Sequence, residues 1–433
     1  MRVAIATLGC KVNQYDTATI ETRLRGEGCV IVPFEAGADV YIVNTCTVTD
    51  RADAESGQLA RRARRFNPAA RVIMTGCFAQ VSPQRAAIAE VDHVVGLNRL
   101  ADLVRVVRDD GTAPRILVDD LRTARQVRTL GAETFTGQTR AFLKIQEGCD
   151  LFCTFCIVPF ARGRSRSVPP REVLAQLQML AARGFKEVVL TGIHLGGYGA
   201  DLEPAIDVCD LLEMLVEQPP VSRIRLSSID PPEVTSRLLA LMSRAETLCP
   251  HLHIPVQAGH DEVLRRMRRA YDTQFLRDVC AEIRINLPEA AIGTDIIAGF
   301  PGETDDQFQA TLGLMDELPF TYFHVFPYSR RHGTTAAKMS AQTASNGIKL
   351  RALQLRKLGE RKRVTFAGRF LGRSLPVLVE EMPARDGAYL TGYSRNYQRV
   401  EFCGAVELVN HEVTVQARSL QGTTLVGAIV ADG

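Results

Sequence analysis

Over the first hundred residues, short uninterrupted apolar runs alternate with longer stretches in which apolar positions recur at helical spacing. The runs VAIATL, DVYIVNT and RVIMT have the continuity of strands buried on both faces, as in a parallel sheet, and the stretches between them read as helices. The pattern restarts near residue 138. AFLKIQ, EVVLTGI, IRLSSI, LHIPVQ, AIGTDIIAGF and YFHVFPYS are six strand candidates, separated by helical segments such as PREVLAQLQMLAARG and TDDQFQATLGLMDEL. Six βα units predict an open, partial (β/α)6 barrel with its chemistry at the strand carboxyl ends. The helical stretch NGIKLRALQLRKLGERKRVTFAG closes that region. From Gly368 onward the runs become short and β-like, as in SLPVLVEE, AYLTGYS, VEFCGAVELV and HEVTVQARS, which predicts a small all-β barrel. The expected class is α/β, divided into an N-terminal parallel α/β domain (1–135), a partial (β/α)6 barrel (136–367) and a C-terminal β barrel (368–433).

With 433 residues, 46% of them hydrophobic, the chain can fill several ordinary cores. It contains no apolar run of membrane-spanning length, and MRVAIATLGCKVNQYD lacks the parts of a secretory signal, so the expected compartment is the cytoplasm, with no membrane partner. A net charge of +3 does not announce a nucleic-acid partner. The arginines are nevertheless gathered in runs: Arg61, Arg62, Arg64 and Arg65; Arg162, Arg164 and Arg166; Arg265, Arg266, Arg268 and Arg269. Each run is either a solvated face or a set of phosphate contacts.

Eleven cysteines are too sparse for a disulfide scaffold in a chain of this length. Cys149, Cys153 and Cys156 form C-x-x-x-C-x-x-C just after the first strand of the second region. A 4Fe-4S cluster normally takes one cysteine per iron, so three thiolates would leave one iron open to a small molecule. Zinc with a distant fourth ligand, or plain buried thiols, are the other readings of the spacing. Cys10, Cys46 and Cys77 each follow one of the first three strands, and a parallel sheet would collect them at its carboxyl edge. There they either hold a second cluster or fill the core, and Asn13, Gln14 and Asp16 either orient the first loop or cap the next helix. Cys29, Cys209, Cys249, Cys280 and Cys403 read as core or incidental thiols.

Polar and glycine-rich groups recur after the barrel strands. Thr191, Ser227, His253 and Gln257 are the candidates for a cofactor pocket at that rim, although each alone also fits a turn or a structural histidine. In the third region Tyr393, Asn396 and Tyr397 lie among Arg385, Arg395 and Arg399, a composition suited to stacking bases and meeting phosphates, or to packing a barrel edge.

Taken together, LGCKVNQYDT, IVNTCTVTDRAD, GCFAQ, GCDLFCTFCIVPFARGRSRS, HIPVQAGHDEVLRRMRR, TDIIAGFPGET and HVFPYSRRHGTTAA resemble the methylthiotransferases, a family of radical S-adenosylmethionine (SAM) enzymes, over nearly the whole chain. The resemblance implies a three-cysteine N-terminal domain, a radical-SAM barrel and a TRAM-type RNA-binding barrel. It implies two 4Fe-4S clusters, one on Cys149, Cys153 and Cys156 that binds SAM, and one on Cys10, Cys46 and Cys77 that presents sulfur. Phe155 matches the aromatic that the superfamily packs near the adenine of SAM. Transfer RNA is the implied partner, met by Arg162, Arg164 and Arg166 and by Tyr393, Asn396 and Tyr397, with an electron donor and a sulfur source of unspecified identity. CKVNQYD and YSRRHGTTAA most resemble the branch that modifies carbon 2 of N6-threonylcarbamoyladenosine beside the anticodon. Related branches act on isopentenyladenosine in tRNA or on an aspartate of a small-subunit ribosomal protein, and a noncatalytic iron-sulfur RNA-binding module is the reading outside enzymes. No catalytic acid or base is expected beyond the cluster cysteines.

Overall fold

The structure, a computed structural model, describes all residues except 109–110, 112, 125, 128–130, 136, 385–388 and 431–433. Its first sheet contains β1 (Arg2–Thr7), β2 (Val30–Val32), β3 (Val40–Thr45), β4 (Arg71–Gly76), β5 (His93–Val95) and β6 (Ile116–Leu117), all parallel, in the order β2-β1-β3-β4-β5-β6. The continuous apolar runs follow from burial on both faces. Ala4, Tyr41, Val72 and Met74 pack into one core and Val3, Val40, Ile42 and Ile73 into another, so alternate residues of each strand serve opposite sides.

The second unit carries β7 (Arg140–Lys144), the short hairpin partners β8 (Gln146–Glu147) and β9 (Arg166–Ser167), then β10 (Glu187–Thr191), β11 (Arg223–Leu226), β12 (His251–His253), β13 (Ala291–Ala298) and β14 (Tyr322–Pro327). β7, β10 and β11 form one parallel sheet and β12, β13 and β14 another. Isolated bridges from Ile224 to Leu248 and from Ser228 to His253 carry the seam, so the six expected strands follow one another around an open barrel. The helix Lys11–Gly26 of the first unit buries Tyr15 and Ala18 in the same core as Ala141 and Leu143 of β7. The two units therefore share packing next to Cys10.

The helix Ser345–Gly368 leads into a closed barrel of β15 (Ser374–Ala384), β16 (Tyr389–Ser394), β17 (Arg399–Cys403), β18 (Glu412–Gln421) and β19 (Thr424–Ile429), ordered β15-β16-β17-β19-β18. The run VEFCGAVELV does not continue as one strand: β17 stops at Cys403, and Val406–Leu408 forms a 3-10 turn with Val406 largely exposed. No helix among the described residues is long and apolar enough to cross a membrane.

Candidate active site: two three-cysteine centres

β1, β3 and β4 are parallel neighbours, so the turns that follow them lie side by side and bring Cys10, Cys46 and Cys77 together. The approach is close. Gly9 has φ +100°, and a side chain there would stand 3.0 Å from Cys46 Sγ; Gly76 has φ +91°, and a side chain there would collide with the Thr45 backbone. Buried Asn13 ties two of the turns, its Nδ2 donating to Leu8 O at 2.6 Å and to Thr45 O at 2.9 Å. Thr45 Oγ1 ties the third, donating to Thr75 O at 2.5 Å and accepting from Phe78 N at 3.1 Å. Cys10 is exposed while Cys46 and Cys77 are buried, and burial pushes the Cys46 thiol up and the Cys77 thiol up to about 12.

The second centre is a clamped loop. Cys149 N donates to Gly163 O at 3.1 Å and Cys156 N to Cys153 O at 3.0 Å. Thr154, between them, donates through its backbone to Met267 O (3.1 Å) and through its hydroxyl to Arg266 O (2.9 Å), and accepts from Ala336 N (2.8 Å). Arg269 Nη1 donates to Cys153 Sγ at 3.3 Å, and the guanidinium is pinned by Asp230 at 2.8 Å and by Tyr271 Oη at 2.8 Å. Burial pushes Cys149 up to about 11 and Cys156 up to about 12. Thiols held that high are poor free nucleophiles, whereas a bound metal takes them as thiolates. Two groups of three soft sulfur donors, none in a disulfide, fit two iron-sulfur clusters each left one protein ligand short.

The helix that begins at Cys77 and the one that begins just past Cys156 pack against each other. The helix Val158–Arg162 starts just past Cys156, and Arg162, 1% exposed, reaches into the first unit. Its Nε donates to Cys77 Sγ at 3.3 Å, Nη1 meets Asp16 and Glu147 at 2.9 Å each, and Nη2 donates to Asn13 Oδ1. Lys144 Nζ meets the same two carboxylates at 2.7 Å each. At the loop centre an open cleft of about 650 Å³ is lined by Val48 and Thr49 of the first unit and by Phe155, Cys156, Gln257, Asp295 and Ile297 of the second.

Among the residues singled out in the sequence for cofactor binding, Phe155 and Gln257 line that cleft, and Gln257 has the left-handed φ of +72°. Thr191, Ser227 and His253 sit deeper in the barrel wall. Thr191 O accepts from Ile145 N at 2.9 Å, His253 Nε2 bonds Asp295 at 2.9 Å, and the buried Ser227 hydroxyl has no partner among the described residues. An orphaned hydroxyl below the rim is a group that a bound ligand can satisfy.

The expected RNA contacts need correction. Arg162 and Arg166 are buried at 1% and 5% exposure, Arg162 in the ion network and Arg166 donating to Arg162 O at 2.6 Å, so neither presents a guanidinium to a phosphate. Arg164 does face solvent, paired with Asp150 at 2.8 Å and lying 5.8 Å over the Phe152 ring. Tyr393, Asn396 and Tyr397 turn inward, against the amino-terminal ends of the barrel strands at Arg140, His251 and Tyr322. Tyr393 and Tyr397 stack at 4.9 Å, Arg140 and Arg225 lie on the Tyr397 ring, and Asn396 Nδ2 donates to Glu289 O at 3.1 Å. These contacts fasten the third unit to the second and leave both tyrosines half-buried. Arg399 is exposed, and Arg385 lies outside the described residues. The sequence reading assigned Arg162 to RNA and gave Arg269 no role of its own, because nothing in an arginine run marks the member that will hold a cysteine sulfur.

Comparison with known proteins adds an independent finding. The uncharacterized protein family UPF0004 matches residues 2–96 and the radical SAM superfamily matches residues 143–315. Threonylcarbamoyladenosine tRNA methylthiotransferase MtaB of Bacillus subtilis (strain 168) is 40% identical over 96% of this chain and 93% of its own length. The protein of the same name from Thermotoga maritima is 35% identical over 100% of this chain and 98% of its own. tRNA-2-methylthio-N(6)-dimethylallyladenosine synthase of Desulfitobacterium hafniense (strain Y51) is 31% identical over 100% and 98%. Among solved structures, the radical S-adenosylmethionine methyltransferase TsrM from Kitasatospora setae superposes with a TM-score of 0.56 at 16% identity, covering 77% of this chain and 76% of that one, a likeness of fold alone.

Proposed function

The chain belongs to the methylthiotransferase family of radical SAM enzymes, and from that premise we propose that it adds a methylthio group to carbon 2 of N6-threonylcarbamoyladenosine in tRNA. The observation that carries this reading is the joining of two three-thiol centres through Arg162, with a cleft opening at Cys156 of one of them. Cys149, Cys153 and Cys156 would hold the cluster that takes SAM, and Cys10, Cys46 and Cys77 the cluster that carries sulfur. When bound, these clusters and SAM supply the radical and sulfur-transfer chemistry, and the protein supplies placement.

The chain's own contribution is geometric. Val48, Phe155 and Ile297 give the cleft apolar walls that limit water at a reactive intermediate, while Gln257 and Asp295 offer polar groups for orientation. Arg164, exposed beside the loop centre, is placed to meet RNA phosphate without entering the cleft. The same machinery would serve the dimethylallyladenosine substrate named for the Desulfitobacterium relative, so the branch rests on the higher identities to the threonylcarbamoyladenosine enzymes.

The test is nucleoside mass spectrometry. The protein is reconstituted anaerobically with iron and sulfide, supplied with SAM and a reductant, and given tRNA bearing either threonylcarbamoyladenosine or isopentenyladenosine. A methylthio mass gain confined to the threonylcarbamoyl nucleoside is expected; gain confined to the isopentenyl nucleoside would reassign the substrate.

A further inference from the structure

The loop that carries Cys149, Cys153 and Cys156 runs directly into a helix whose last residue hydrogen-bonds a thiol of the other centre. Arg162 is held on every side that faces this junction: Nε on Cys77 Sγ at 3.3 Å, Nη1 on Asp16 and Glu147 at 2.9 Å, and Nη2 on Asn13 Oδ1. Asn13 also anchors the turns that carry Cys10 and Cys46, through Leu8 O and Thr45 O. Lys144 shares both carboxylates, so two buried cations and two buried anions balance before any thiolate is counted. A guanidinium with its direction fixed in this way cannot turn its Nε away from the sulfur without leaving a buried charge unpaired.

We propose that Arg162 is the positioning residue of the sulfur-carrying centre, donating to the Cys77 thiolate and tying the spacing between the two centres to the loop that holds the other one. This rests on the family reading that Cys10, Cys46 and Cys77 hold a cluster. An N–H donated to a ligating thiolate favours the reduced state, so its loss lowers the reduction potential of the cluster concerned. Arg269 on Cys153 Sγ, also at 3.3 Å, is the counterpart at the other centre, and each arginine acts on its own centre.

The experiment compares the full-length chain with its Arg162→Met, Arg162→Lys and Glu147→Gln variants after anaerobic reconstitution, by potentiometric titration followed with electron paramagnetic resonance. Iron release to a chelator, and deoxyadenosine and methylthio nucleoside in one quenched sample, are measured alongside. Arg162→Met is expected to lower the midpoint of the Cys10, Cys46 and Cys77 cluster alone, to speed its iron release roughly tenfold, and to reduce product per deoxyadenosine. Arg162→Lys restores part of the shift. Glu147→Gln removes a nearby negative charge but keeps the donor, so it leaves that midpoint in place or raises it. A midpoint unmoved in Arg162→Met, or moved in the same direction by Arg162→Met and Glu147→Gln, would reduce Arg162 to a strut between units and overturn the proposal. If Arg162→Met does not fold, Arg162→Lys decides: a midpoint below wild type while that of Glu147→Gln is at or above it supports the proposal, and one at the wild-type value overturns it. A wild-type chain with one cluster signal would overturn the family reading itself, and the proposal with it.

Discussion

The two cysteine centres present similar donors by opposite routes. Cys149, Cys153 and Cys156 are neighbours in sequence, and their loop is clamped from outside by Met267, Arg266 and Ala336. Cys10, Cys46 and Cys77 are 36 and 31 residues apart and meet only because β1, β3 and β4 are parallel neighbours in register. A local centre survives small shifts of its surroundings, since the ligands move together. A centre assembled from strand ends inherits every error in the sheet, which accounts for the close fit at Gly9 and Gly76 and the double anchor at Asn13. The shared device is one buried arginine per centre, Arg162 on Cys77 and Arg269 on Cys153.

The largest effects separate the centres by job. Cys153→Ala is expected to abolish both deoxyadenosine and methylthio product, whereas Cys77→Ala abolishes the product and leaves SAM cleavage, as read by mass spectrometry of one quenched reaction. Product from Cys77→Ala would dissolve the division. Next, Asp16→Ala strips a carboxylate shared by Arg162 and Lys144 and is expected to destabilise the junction by about 3–5 kcal/mol in urea unfolding. Gly76→Ala forces a side chain at φ +91° against the Thr45 backbone, and about 2–4 kcal/mol is expected, with iron lost first from the strand-end centre.

The smallest effect is a pH dependence of the loop centre. Burial opposes the charge on His194, but the hydrogen bond and charge of Glu233 outweigh it and raise the imidazole above its ordinary value of 6.5. The pair therefore contributes fully below 6.5 and its contribution fades as pH rises through the raised value. Glu233 also accepts from Asp230 N at 2.9 Å, and Asp230 pins Arg269 on Cys153, so iron release from the loop centre is expected to quicken as pH rises above 6.5 and through the raised value, and Glu233→Gln should remove that dependence. The strand-end centre, held by Asn13, Arg162 and backbone groups, should not follow.

What the sequence made legible matches this contrast. Continuous apolar runs announced β3, β4 and β13 because those strands are buried nearly throughout, and Cys46 and Cys77 could be placed at the ends of the first two. The short strands β2, β5 and β6 span two or three residues each, too few to show a period, and β19 has mixed exposure with no alternation. The fate of individual arginines was not legible at all. Arg162 is buried because Asp16, 146 residues earlier, is folded onto it, and Tyr397 is covered because Arg140 and Arg225 converge on its ring. Such pairings are tertiary, and composition describes buried and phosphate-facing arginines alike.

The most direct measurement is iron content with electron paramagnetic resonance on three anaerobically reconstituted and dithionite-reduced chains: wild type, Cys10/Cys46/Cys77→Ala and Cys149/Cys153/Cys156→Ala. Two independent centres require about eight irons in the wild type and about four in each triple variant, with two distinct signals, one lost in each. About four irons in the wild type, or loss of all iron in either variant, would contradict two separate cluster sites in this chain.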